Sequence, residues 1–141
     1  MSKVIGIDFG LRRTGIAITD DLCIVASPLE VVDSSKLMTY LKELIYRERI
    51  STIVLGYPTR LDGSDSHITE NVRLLKTELE KQFPNSQVIF QDERYTSTES
   101  KRIVHTMGKK KQQKDKGLID KISAAIILKD YLETLNKLQG K

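Results

Sequence analysis

The sequence predicts an α/β protein with a five-stranded mixed sheet flanked by helices. Three observations carry this reading. The first third of the chain alternates short β-branched runs with tight turns, as in Lys-Val-Ile-Gly-Ile-Asp over Lys3–Asp8. The remainder alternates helical spacing with single strands, which implies right-handed parallel crossovers. The chain has 141 residues, 39% of them hydrophobic and 30% charged, which is enough to bury one core without disulfides or structural metals.

Lys3–Asp8 is short, apolar and ends on an acid, as a buried strand would. Gly10–Thr14 turns the chain, and Gly15–Thr19 (GIAIT) reads as a second strand. Asp20-Asp21 suits a tight turn. Cys23–Val32 reads as a third strand, interrupted near Ser27-Pro28, which favours an edge or bulged position. Three strands joined by short turns form an antiparallel meander. Ser34 or Ser35 can then cap a helix in which Leu37, Leu41, Leu44, Ile45 and Glu48 follow the 3.6-residue period.

Ser51–Tyr57 (STIVLGY) is the fourth strand, and Pro58–Asp65 a loop by its Pro, Asp-Gly and Ser content. A helix from about Ser66 to Phe83 places Ile68, Val72, Leu75 and Leu79 on one face, and Pro84-Asn85 stops it. Gln87–Gln91 is the fifth strand. Thr96 or Ser97 can cap a short helix to about His105. Met107–Gly117 reads as a lysine-rich loop and Leu118–Leu138 as the last helix. The order is βββ-α-β-α-β-α-α.

Several classes are excluded. Cys23 is the single cysteine, so there is no intrachain disulfide and no cysteine-based zinc site. No apolar run approaches the ~18–20 residues that cross a membrane, and the first residues lack signal-peptide architecture, so a cytoplasmic protein is expected. The net charge of +4 is mild, but it is unevenly spread. Residues 101–121 carry eight Lys/Arg and two acids, while the rest of the chain is slightly acidic.

Three carboxylates fall where the fold should hide them. Asp8 ends the first strand, at the sheet edge where open α/β folds bind ligands; the competing reading is a turn-capping aspartate before Gly10. Glu93 follows the last strand in the same way, or else pairs on the surface with Arg94 or Lys101. Its neighbour Asp92 should point to the opposite side. Asp120 lies in the first turn of the last helix, on the same stripe as Ala124, Ile127 and Tyr131. There an acid is costly if buried unpaired. The helix dipole would favour an exposed acid at this end by ~0.3–1 kcal/mol. The small Ser123, Ala124 and Ala125 would let the helix pack close to the sheet and carry Asp120 toward Asp8 and Glu93.

Three converging carboxylates need a cation. Oxygen ligands select Mg²⁺ or Mn²⁺, and a pair of such ions ~4 Å apart is a standard device for cutting a phosphodiester. His67 and His105 sit in polar helical surroundings and supply no competing triad.

At this point the residues resemble a family. Gly6-Ile7-Asp8-Phe9-Gly10 with Arg13-Thr14-Gly15-Ile16-Ala17, Gly56-Tyr57-Pro58 with Asp62-Gly63-Ser64, Asp92-Glu93-Arg94-Tyr95-Thr96-Ser97, and Ile119-Asp120-Lys121 with Ala124-Ala125 stand in order along nearly the whole chain. Together they are similar to the YqgF-type family, a bacterial Holliday-junction-resolvase-like group also described as pre-16S rRNA nucleases. Ser100 and Ser123 stand where that family more often has Ala.

The resemblance implies a single ribonuclease H-like nuclease domain over residues 1–138, with a frayed tail at 139–141. It also implies a metal-dependent endonuclease with Asp8, Glu93 and Asp120 as its acidic, metal-holding triad.

Nucleic-acid contacts are expected from Arg12 and Arg13 in the first turn, Arg60 in the loop after the fourth strand, and Arg94 and Thr96 beside Glu93. Lys109, Lys110, Lys111 and Lys114 would add backbone contacts from the basic segment. Gly10 would let a phosphate approach Asp8. Aromatic residues are scarce at 6%, so base stacking should not dominate affinity.

The expected substrate is structured RNA first, in 5′-end maturation of pre-16S rRNA, and branched DNA second, in junction resolution by a possible homodimer. A non-catalytic nucleic-acid-binding factor in transcription is a further alternative. A phosphate-binding sugar-kinase or actin-like cleft is disfavoured by length, since it needs two such domains.

Overall fold

The computed structural model describes residues 2–57, 68–92 and 116–138, with the side chains of 121–135 in the last of these segments. Five strands form one sheet: β1 (Lys3–Asp8), β2 (Arg13–Thr19), β3 (Ala26–Asp33), β4 (Ile50–Tyr57) and β5 (Gln87–Asp92). Their spatial order is β3-β2-β1-β4-β5. β1 pairs antiparallel with β2, and β2 with β3; β1–β4 and β4–β5 are parallel. The sheet is therefore the expected mixed one. The helices are α1 (Leu37–Glu48), α2 (Thr69–Gln82) and α3 (Lys116–Leu138).

Strand alternation divides the core in two. On one face, Ile5 and Ile7 of β1, Ile16 of β2 and Ile53 and Leu55 of β4 pack with Leu37, Leu41 and Leu44 of α1 and Val72 and Leu79 of α2. On the other face, Val4, Ala17 and Val54 pack with Ala124, Ile127 and Leu128 of α3. Each helix thus buries the stripe that its spacing predicted. α3 is apolar over most of its middle turns because it crosses β1, β2 and β3 and also reaches β4 and β5.

Pro28 stands on an edge strand beside a bulge, as expected. Ile16 faces Glu30 and Ala17 faces Pro28, so Leu29 is the extra residue. β2 begins at Arg13, two residues earlier than expected, because its first residues pair with Asp33 and Val32. β3 begins at Ala26 and not at Cys23. Cys23 has a φ of 55°, and the Asp20 carboxylate accepts hydrogen bonds from Ile24 N (2.8 Å) and Val25 N (3.1 Å), which makes this segment a turn.

Neither Ser34 nor Ser35 caps α1. Both lie in a 3-10 turn, Ser34–Lys36, that leads into the helix. The Ser34 hydroxyl instead joins Thr14 Oγ1 at 2.8 Å and donates to Gly10 O, bracing the β1–β2 turn.

α2 begins at Thr69, and α3 begins at Lys116, two residues before the expected start. The loop Pro58–Asp65, the short helix to His105 and the lysine segment through residue 115 lie outside the described residues.

Candidate active site

Parallel pairing sets the site's frame. Ile7 is level with Leu55, and Leu55 with Phe90, so the C-terminal ends of β1, β4 and β5 share one sheet edge. Asp8, the last residue of β1, is in the row containing Gly56 and Gln91. With strands ~4.8 Å apart, about 10 Å of sheet separates the Asp8 and Gln91 backbones. The intervening position is glycine, so no side chain of β4 stands between them in that row.

Alternation also fixes the face. Val4 belongs to the α3 side and Ile5 and Ile7 to the other, so Asp8 is on the α3 side. It is half-buried and faces Gly15 across the β1–β2 pair.

The position of residue 120 follows from how α3 crosses β1. Gly6 abuts the Ala124 carbonyl: a Cβ built at Gly6 would be 2.9 Å from that oxygen and 2.9 Å from Leu128 Cβ. Farther along α3, Tyr131 packs in the same cluster as Cys23, whose Sγ lies 3.5 Å from Ser2 O at the start of β1. α3 therefore runs from the Asp8 end of β1 toward its Ser2 end. From the crossing, one helical turn back to residue 120 covers about 6 Å. Two strand residues forward from Gly6 to Asp8 cover about 7 Å. Residue 120 is thus carried to the Asp8 edge.

Asp120 is the fifth residue of α3, and no acid occupies the first turn. A helix-dipole role for Asp120 loses its basis, because that effect decays within the first turn.

Arg12, in the turn that follows Asp8, and Arg13, the first residue of β2, are exposed at the same edge. Gly10 in this turn has a local reason to be glycine: a Cβ there would lie 2.5 Å from Arg13 O. Its close neighbour is thus the hairpin's own backbone, where the sequence suggested an approaching phosphate. Thr14, fully buried, is held by the Ser34 contact.

Of the remaining expected site residues, Glu93, Arg60, Arg94, Thr96, Lys109, Lys110, Lys111 and Lys114 lie outside the described residues, as does the Asp120 side chain. Among the described residues no three His, Cys, Asp or Glu form a metal-holding group.

Sequence reading missed a cluster on the opposite face of the same edge. Tyr57 and Phe90 meet edge to face, with ring centroids 4.8 Å apart. Arg73 lies over the Tyr57 ring at 5.7 Å, and Lys76 over Phe90 at 5.5 Å. Asp92 is exposed and joins them, which confirms that it points away from the α3 side. The signal was the alternation of β4 and β5 read together, and that needs the β4–β5 register.

At the opposite edge, the Lys3 ammonium donates to Glu48 Oε1 at 2.8 Å, which holds the Glu48 carboxyl below its usual range and raises Lys3. No helix among the described residues is long and apolar enough to cross a membrane.

Comparison with known proteins agrees with this architecture. A family model described as "RuvX: Holliday junction resolvase" matches residues 2–134. A Flavobacterium johnsoniae protein provisionally named pre-16S rRNA nuclease is 37% identical, over 95% of this chain and 98% of its own length. A Bacteroides fragilis protein with the same name is 36% identical, over 95% and 98%.

Among solved structures, the Fowlpox virus resolvase bound to Holliday junction DNA superposes with a TM-score of 0.62 at 15% identity, covering 94% of this chain and 98% of that one. T. thermophilus RuvC with a Holliday junction substrate gives 0.58 at 15% identity, covering 95% and 96%. These likenesses establish a ribonuclease H-like fold. The match over residues 2–134, with relatives above one-third identity over nearly full length, shows that the chain belongs to the RuvX family of Holliday-junction-resolvase-like nucleases.

Proposed function

We propose that this chain is a divalent-metal-dependent endonuclease whose substrate is structured RNA, with 5′-end maturation of pre-16S rRNA as its role. The observation that carries the reading is the Gly6–Ala124 crossing, which supports bringing Asp8 and residue 120 to one sheet edge. The relatives' name supports the substrate.

Asp8, Glu93 and Asp120 would hold the metal. The donor set fits in kind: all three are carboxylates, hard oxygen ligands suited to Mg²⁺ or Mn²⁺ and unsuited to a zinc site. Asp8 also fits by placement, half-buried at a strand end beneath the α3 side. Glu93 stands two residues after Gln91, and strand alternation extended to it would give it the α3 side that Ile89 occupies. A bound pair of such ions would supply an activated water and stabilise the leaving oxygen.

The chain's own groups do the rest. Arg12 and Arg13 would hold phosphates entering the edge, and Arg60, Arg94 and Thr96 would hold the strand beside Glu93. Lys109, Lys110, Lys111 and Lys114 would bind the backbone farther out. Recognition of this kind reads charge and shape more than base identity.

The test incubates purified protein and Mn²⁺ with end-labelled pre-16S rRNA fragments and, in parallel, with four-way DNA junctions. The expected result is cleavage of the precursor at a defined position by a monomer. Faster cleavage of the junction by a two-fold dimer would move the role to recombination, since a symmetric junction calls for paired cuts. Tight RNA binding that is equal in EDTA and Mg²⁺, with no cleavage of either substrate, would overturn the nuclease reading.

A further inference from the structure

The cleft formed by Tyr57, Arg73, Phe90 and Asp92 lies on the α2 side of the sheet, and the proposed cleavage chemistry does not use it. Its volume is about 410 Å³, within the ~300–1,000 Å³ typical of small-ligand sites. The two aromatic rings meet edge to face, 4.8 Å between centroids and inclined by 63°. Each ring carries a cation nearby, Arg73 at 5.7 Å and Lys76 at 5.5 Å. Asp92 also lines the cleft.

Aromatic surface and a hydrogen-bond acceptor together match one ligand class, the two cations being already paired with Glu70 at 3.4 Å and Glu80 at 2.9 Å. A nucleobase offers a π-face for the rings and N–H donors for a carboxylate. The side chains alone would not need this exposure to hold the fold. Phe90 remains 37% exposed on an edge strand even with Tyr57 packed against it. Location adds a second argument. Tyr57 and Asp92 are paired in register at the last row of β4 and β5, one row beyond Gly56 and Gln91, the row of Asp8. The cleft therefore opens at the same sheet edge as Asp8, on the other face.

We propose that the Tyr57–Phe90 cleft is a base-binding subsite that receives one unpaired nucleobase of a strand bound at the Asp8 edge. The proposal rests on the nuclease reading for its strand, but the cleft's affinity for a base is independent of cleavage. Such a pocket would give a nuclease that reads mostly backbone a way to prefer looped or branched substrates. An unpaired base can enter it, whereas a base stacked in a duplex must first be extruded.

The experiment titrates the isotopically labelled full chain with AMP, GMP, CMP and UMP in EDTA, following amide NMR shifts, with ribose 5-phosphate as the base-free control. The expected result is binding at about millimolar Kd, with the shifts centred on Tyr57, Arg73, Phe90 and Asp92. Phe90→Ser should weaken it by about fivefold or more. Arg73→Gln, on an exposed helix surface, should weaken it as well and guards against a folding defect in the first variant. Equal response to ribose 5-phosphate, or shifts that bypass these residues, would overturn the subsite. Because EDTA prevents metal-dependent cleavage, failure here leaves the nuclease reading standing. Loss of the nuclease reading would appear separately, as no cleavage of either the RNA or the junction substrate in Mn²⁺.

Discussion

Gly6 and Ala124 are in backbone contact: a Cβ on Gly6 would stand 2.9 Å from the Ala124 carbonyl oxygen. This contact sets the spacing between β1 and α3, and with it the distance from Asp8 to residue 120. Ala17, paired with Gly6 on the neighbouring strand, keeps the same patch shallow. A small-residue seam thus lets the helix lie close to the strand, which carries residue 120 toward the Asp8 edge.

Gly6→Ala should therefore both destabilise and impair. The added methyl meets backbone and the Leu128 side chain, neither of which can swing aside. Overpacking of this kind costs about 1–3 kcal/mol. A urea titration should show a lower midpoint with an unchanged slope, and metal-dependent cleavage should fall beyond the loss of folded protein. Leu128→Ala removes a fully buried side chain from the same seam and should cost about 2–5 kcal/mol.

Much of this was legible in the sequence, and the reasons differ by element. Leu37, Leu41 and Leu44 announced α1 because burial follows the 3.6 period, and all three are buried. Pro28 announced an edge or bulge because it cannot donate to a ladder, and it has both. Asp8 stood out as a candidate because an acid ending a buried strand is unusual, and it does end β1 half-buried.

Ser34 was misread as a helix cap because its true partners, Thr14 and Gly10, are 20 and 24 residues away. The Tyr57–Phe90 cluster was invisible for the same kind of reason. It depends on strand register, which no local pattern encodes.

Ser34→Ala should loosen the β1–β2 turn. It leaves the buried Thr14 hydroxyl and the Gly10 carbonyl without the Ser34 hydroxyl. The expected cost is about 1–2 kcal/mol in chemical denaturation. Because the turn carries Arg12 and leads into Arg13 at the start of β2, nucleic-acid affinity should drop as well, measured by fluorescence anisotropy at fixed salt.

The Asp20 turn should give stability an acid limit. Backbone N–H groups of Val25 and Ile24 hold the Asp20 carboxyl below its usual 3.8. A folded value below the unfolded one means the contribution is fully present above the unfolded value. It is lost as pH falls from there through the folded value. Thermal melts between pH 5 and pH 2 should show Asp20→Asn losing less stability on acidification than the parent, in about that window.

The basic segment should reveal itself through salt. Replacing Lys109, Lys110 and Lys111 with Gln should reduce the slope of log affinity against log salt by up to about one per lysine. RNA of different sequences should be affected alike, since backbone contacts carry little sequence information. A change confined to one sequence would show that these lysines read bases.

The most direct test is Mn²⁺-dependent cleavage of a pre-16S rRNA fragment by Asp8→Asn, Glu93→Gln and Asp120→Asn, each confirmed folded by circular dichroism, with Asp21→Asn as the control at the opposite end of the sheet. Each of the three should lose activity by about a hundredfold or more, the scale of removing one electrostatic stabiliser from a cleavage site, while Asp21→Asn keeps it. Asp8→Asn cutting at the parental rate would contradict the carboxylate site.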